Sequence, residues 1–224
     1  MSLLAQKNRS PLNQSYIFFP YPLVGKNWHS SIGFTLTNMP EDITEEVQLR
    51  VPAGDYHVLR RLPKGFYLDG RISFQVLQNH FSVGGRWSHI LNDRFSFSVG
   101  DDMGWWFGIL DVASFKTKAS GWINYPNLSL GYRVRNQMLL TLKAEAMVNL
   151  YYHSKVGEQI LEDKNSQFVG WSGSLYLEQP LYKKKNFLLG LTFRYTKFFW
   201  QTWSLYSTFD RYLFYPEITV GFIL

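Results

Sequence analysis

At 224 residues the chain is long enough for one β-rich domain, and its lack of cysteine excludes a disulfide scaffold and any thiolate metal site. The formal charge of +6 is moderate, and its basic residues gather at Lys183-Lys184-Lys185 and around Arg60, Arg61 and Lys64. The aromatics (18% of the chain) follow strand spacing rather than interleaving with those clusters, which argues against a nucleic-acid partner, and no apolar run approaches the roughly 18 residues of a membrane-spanning helix.

In chain order, SLLAQ (Ser2 to Gln6) has the small-residue end of a bacterial signal sequence, with Ala5 before Gln6, so residues 1–5 are expected to be its remnant. Period-two alternation, the mark of a strand, then begins at SIGFTLTN, where Ile32, Phe34 and Leu36 oppose Gly33, Thr35 and Thr37. It recurs in FSVGGRWSHI, in RFSFSVGDDMGWWFGIL, in NLSLGYRV and in each later apolar stretch up to FYPEITVGFIL. The segment from Leu139 to Leu150 is rich in helix formers, yet Leu140, Leu142, Ala144, Ala146, Val148 and Leu150 alternate without a miss, which predicts a strand.

The pattern predicts eight strands, over residues 30–38, 68–90, 94–109, 121–134, 137–151, 167–179, 187–200 and 213–224. The second would carry a bulge near residues 77–80, where its parity changes. Between the first two lies an excursion over residues 39–67, with a small hairpin around Pro52-Ala53-Gly54-Asp55. If that hairpin and residues 66–76 join the wall, the strand count becomes ten. Asn92-Asp93 and Arg135-Asn136 suit tight turns, whereas residues 111–120, 153–166 and 201–211 read as long polar loops at the other end.

One face of these strands is Leu, Val, Phe and Trp. The other is Gly, Ser and Thr, but also Arg86, Lys143, Glu145, Arg194, Glu217 and Asp102. Buried charges are tolerable where opposite signs pair inside a closed barrel, with the apolar face turned to lipid. Trp105, Trp106, Trp122, Tyr151, Tyr152, Phe198, Phe199 and Trp200 fall near strand ends, as an interfacial aromatic girdle requires.

With these features the chain resembles the small outer-membrane β-barrels of Gram-negative bacteria. The terminal strand carries the most specific likeness. Ile218, Val220, Gly221, Phe222 and Leu224 match the C-terminal insertion signal of such barrels, except that the chain ends in leucine rather than an aromatic. The aromatic richness with LLAQ further resembles proteins of the Bacteroidota. The resemblance covers roughly residues 28–224 and implies an all-β, closed, antiparallel up-and-down transmembrane barrel in the outer membrane. Residues 1–27 would form a periplasmic segment and residues 39–67 an extracellular one. It implies contact with outer-membrane lipid and lipopolysaccharide, and with the barrel-insertion machinery during biogenesis.

The apolar, proline-broken YIFFPYPLVGKNW (Tyr16 to Trp28) would pack on the periplasmic mouth, plug it, dock on a partner or trail as a tether. Asp101 falls on the greasy face of its strand. Either a bulge at residues 100–102 turns it inward beside Asp102, or the strand has left the hydrocarbon there.

The five histidines, His29, His57, His80, His89 and His153, match no serine-histidine motif, so neither an enzyme nor a cofactor nor a metal is expected. A structural or protein-interaction barrel, a subunit of a larger envelope complex, is the leading expectation. A narrow channel for small solutes is the alternative, and a lipid-modifying enzyme of lipid A deacylase or acyltransferase type, using His80 or His153, is a third.

Overall fold

The computed structural model describes residues 15–22, 26–40, 50–75, 78–112, 115–134, 138–160, 166–181, 185–197 and 212–224. The strands run up and down in chain order: β1 (Trp28–Asn38), β2 (Arg50–Arg61), β3 (Phe66–Phe74), β4 (Gln78–Ile90), β5 (Phe95–Val112), β6 (Phe115–Arg133) and β7 (Leu139–Val156). The two-residue β8 (Gln159–Ile160) follows, then β9 (Gln167–Leu181), β10 (Lys185–Lys197) and β11 (Tyr212–Ile223). Neighbours pair antiparallel, β7 skips to β9, and β11 returns to β1 from Ser31↔Ile223 to Thr37↔Glu217.

Among the described residues the wall is therefore a closed ten-stranded barrel, with β8 hooked onto β7 outside it. Closure leaves no free edge, so every spanning backbone group finds its partner within the wall, as hydrocarbon demands. No described helix is long and apolar enough to cross a membrane.

Alternation decides the faces. Leu142, Val83, Ile32, Val220 and Leu128 stand exposed on the outside, while Ser98, Ser129, Thr141, Ser174 and Thr219 are buried within. Such a sheet is stable only if the exposed face meets a nonpolar solvent, because these large apolar side chains in water would forfeit the burial that drives folding. This is the architecture of a transmembrane barrel.

The wall contains more of the chain than the eight-strand count allowed. Residues 50–61 are not an excursion but β2, which pairs with β1 from Trp28↔Arg60 to Asn38↔Arg50. The expected hairpin at Pro52–Asp55 is straight strand, and the chain turns instead at Leu62–Gly65, at the opposite end of the barrel. The single strand expected over 68–90 is two, β3 and β4, so the parity change marks the junction between two strands, where the Gln75 N–H donates to the Gln78 carbonyl, and not a bulge.

The presumed loop at 111–120 is mostly β5 and β6 continuing past the end of β4. One bulge lies between β6 and β7, where Trp122↔Tyr151 is followed by Ile123↔Asn149, and another between β7 and β9. Asn92 does make a tight turn, its side-chain oxygen accepting from the backbone N–H of Arg94 and of Phe95. Arg135 and Asn136 lie outside the described residues.

Candidate functional site

The lumen is occupied in three layers. At the end that carries the Leu62–Gly65 and Asn92 turns, the segment from Ser15 to Pro22 folds back into the barrel mouth. Tyr16, Ile17, Phe18, Phe19 and Tyr21 are almost wholly buried there, against Leu59, Tyr67, Ile90, Leu139, Tyr176 and Leu188 of the wall. This N-terminal stretch is a plug, one of the roles open to it from sequence.

Its backbone is held by one carboxylate. Glu178 of β9, fully buried, accepts from the N–H groups of Ile17 (2.6 Å), Phe18 (3.2 Å) and Phe19 (2.8 Å). Three donors converging on a charged acceptor are the arrangement that keeps a buried carboxylate from being a liability. Across the lumen Arg86 of β4 donates to the Ile17 carbonyl at 3.0 Å and lies over the Tyr67 ring, 5.5 Å from its centroid, within the cation–π reach of about 6 Å. Asn186 of β10 donates to the Ser15 carbonyl, and Phe18 stacks on Tyr176 with ring centroids 3.8 Å apart.

The middle layer is a belt of ion pairs. Arg71 meets Asp55 at 2.7 Å, Lys143 meets Glu145 at 2.7 Å, Arg194 meets Glu217 at 2.8 Å, and a ring nitrogen of His57 meets Asp69 at 2.5 Å. Asp102 accepts from the Asn127 side chain at 3.0 Å. Each pair couples adjacent strands or successive inward positions of one strand, so the charges neutralise one another along the wall rather than lining the bore with one sign. Stripping one partner from such a buried pair typically costs about 3–5 kcal/mol, because the survivor is left uncompensated.

Above the belt the lumen divides. Trp106, Ile123, Met147, Tyr152 and Val169 pack into an apolar cluster on the side of β5, β6, β7 and β9. Opposite it a polar vestibule of about 110 Å³ is lined by Arg71, His80, Tyr125, Glu145, Arg194 and Glu217, among others. His80 and the Tyr125 hydroxyl are hydrogen-bonded at 3.0 Å. Gly104 makes room for that pair, since a Cβ there would sit 2.6 Å from the His80 ring nitrogen and 2.9 Å from the Tyr125 ring. No described group of three or more His, Asp or Glu side chains could hold a metal.

Every residue of the expected interior network does point inward, but the network is not one unit. Lys143–Glu145 and Arg194–Glu217 belong to the belt, Asp102 is satisfied by an amide, and Arg86 serves the plug. Asp55, His57, Asp69, Arg71 and Glu178 complete these layers and were not anticipated. The first four lie on β2 and β3, which the eight-strand reading did not resolve, so their facing could not be assigned.

The girdle needs correction as well. Trp105, Trp122 and Tyr151 are exposed on the outer face, but Trp106 and Tyr152 are buried in the lumen, as neighbours of outward residues on a strand must be. Phe198, Phe199 and Trp200 lie outside the described residues. The outer face carries two aromatic bands. Phe66, Trp87, Phe95, Phe97, Phe187 and Phe222 form the lower, and Phe81, Trp105, Trp122, Trp171, Tyr195 and Phe214 the upper.

Asp101 points outward between those bands. The register is unbroken on both sides, Gly85↔Asp101 and Asp101↔Pro126, so no bulge turns it inward, and its strand continues in the wall there. On β11, Ile218, Val220 and Phe222 face outward, and Leu224 just beyond it is also exposed. Gly221 faces inward opposite Gly33, where a Cβ on either residue would approach the other strand's backbone within 3 Å.

No family model and no curated protein matches the chain. Among solved structures it is similar to the KdgM porin, at 11% identity and a TM-score of 0.40, over 86% of this chain and 97% of that one. It is similar to the translocator domain of autotransporter NalP from Neisseria meningitidis, at 12% and 0.48, over 89% and 88%. A third likeness is to the toluene transporter TodX of P. putida, at 8% and 0.37, over 92% and 73%. The likeness is one of barrel architecture and carries no site of those proteins onto this chain.

Proposed function

We propose that the chain is an outer-membrane β-barrel with a structural or protein-interaction role, a subunit of a larger envelope assembly, and that it does its work without catalysis and without a standing pore. The observation that carries this reading is the seated plug. A barrel whose own N-terminal residues fill one mouth, clamped by Glu178 and Arg86, has closed the aqueous path that a porin keeps open. The belt above narrows the bore again. What remains for recognition is the surface: the rim connections, the N-terminal strand approach and the lipid-facing wall, where lipid and lipopolysaccharide are the default neighbours.

The full chain reconstituted in planar bilayers should stay silent, and extraction in mild detergent should bring a stoichiometric partner with it. Steady conductance by the full chain would overturn the reading. That outcome would favour a narrow channel, for which the polar vestibule is the supporting observation.

A further inference from the structure

Among the described charged side chains of the barrel wall, Asp101 stands apart from the lumen pairs. It is exposed on the outer face of β5, and among the described residues it makes no hydrogen bond and no ion pair. On its own strand it stands midway between Phe97 below and Trp105 above, four residues from each. At about 3.3 Å per residue along a strand tilted about 40°, that places the carboxylate about 10 Å inside both aromatic bands, near the middle of the apolar belt.

Other outward charges lie at the bands or beyond them. Arg60 is spread over the Trp28 ring at the lower rim, and Lys197 over Tyr212 at the upper. Asp101 is too deep for such company, and its side chain is too short to reach a headgroup.

The wall around it carries small or apolar groups apart from one amide, Asn124, which stands opposite Met103 on the outer face. Directly across the ladder are Gly85 on one side and Pro126 on the other, and Gly70 lies beyond, paired with Val83. An added Cβ on Gly85 would meet nothing closer than a backbone oxygen 4.0 Å away. The result is a shallow furrow across β4, β5 and β6, closed at β3 by Leu68 and flanked by Val83, Val99, Met103, Asn124 and Leu128, with one carboxylate at its floor. Lipid tails fill a furrow but cannot donate to a carboxylate, and lipid amines sit at the interface. A protein backbone in hydrocarbon has its own donors internally satisfied.

We propose that this furrow is an intramembrane docking site for a second, different membrane-spanning protein that presents a lysine or arginine at mid-depth to Asp101. The inference rests on the interaction reading above and names its surface. The charge selects the partner, since a second copy of this chain meeting symmetrically would set carboxylate against carboxylate. The glycines and proline let the partner approach closely, as small residues do at contacts within membranes.

The test uses the full chain in its native membrane, with a photoreactive phenylalanine analogue at Met103 and, as control, at Leu189 on the far wall. The probe at Met103 should give one discrete protein adduct and the probe at Leu189 none. Asp101→Leu should reduce the adduct by about tenfold or more, the change expected on losing a charge pair in a low-dielectric contact. Charge reversal, Asp101→Lys, should abolish it, and reversing the partner's cation should restore it. The Leu variant should fold, because it makes the lipid face more apolar, and a retained heat-dependent gel shift would establish that.

A lipid-only adduct, an adduct of twice the barrel's mass, or an adduct indifferent to Asp101→Leu would each overturn the proposal. If a partner still co-purifies with Asp101→Leu, the interaction reading survives and only this surface falls. If the unsubstituted chain brings no partner at all, both fall.

Discussion

A carboxylate inside a barrel needs donors, and Glu178 finds three on one short loop. Its removal strips an acceptor from the N–H groups of Ile17, Phe18 and Phe19 at once. Leaving buried donors unpaired costs about 1–3 kcal/mol each, so Glu178→Ala should loosen the plug by at least about 3 kcal/mol. Hydrogen exchange would read this directly, as lost protection at those three amides while the amides of β9 and β10 stay protected. Unchanged protection would mean that the aromatic packing alone seats the loop. Glu178 was within reach of the sequence. Leu175 and Leu177 face lipid, so parity sends Glu178 inward near the end of the strand expected over 167–179. The same parity separates Trp105 from Trp106 and Tyr151 from Tyr152, pairs that clustering by aromatic content had merged. Parity says nothing about what a side chain meets across the lumen, and so could not reveal that Arg86 leaves the ion pairs to hold a carbonyl.

At the scale of elements, the plug and the wall are fitted to each other. Gly131 of β6 lies beneath the loop, where an added Cβ would come within 2.7 Å of the Phe19 ring and of Pro20. Gly131→Leu should therefore unseat the loop without disturbing the ladder, whose hydrogen bonds the backbone supplies. Limited proteolysis should then cut near residues 15–22 several-fold faster, while the folded barrel keeps its heat-dependent gel shift. The most consequential element missed from sequence was β2. Pro52-Ala53-Gly54 has the composition of a turn, yet Pro52 sits in strand opposite Leu36. It is tolerated because β2 begins to pair with β3 only at Gly54, so at Pro52 that side of β2 needs no N–H donor. The Leu139–Leu150 segment shows the converse: good helix formers became β7 because both its neighbours were strands whose ladders needed filling.

For the whole molecule, lumen and wall answer to different solvents, and that division was legible from alternation alone, whereas strand number was not. Two barriers in series, plug and ion-pair belt, also predict a graded response. Deleting residues 1–22 should convert a silent barrel into one with small, flickering conductance in planar bilayers, well below that of an open porin, because the belt remains. A large, steady conductance would show that the belt is no obstacle. The seat of the plug has a temporal consequence. Its contacts come from Tyr67, Arg86, Gly131, Glu178 and Asn186, on five strands scattered through the chain. That cradle exists only after the cylinder has been stitched together, so the segment ahead of β1 comes to rest after the wall that holds it. A misassembled cylinder would leave that segment dangling and open to proteolysis.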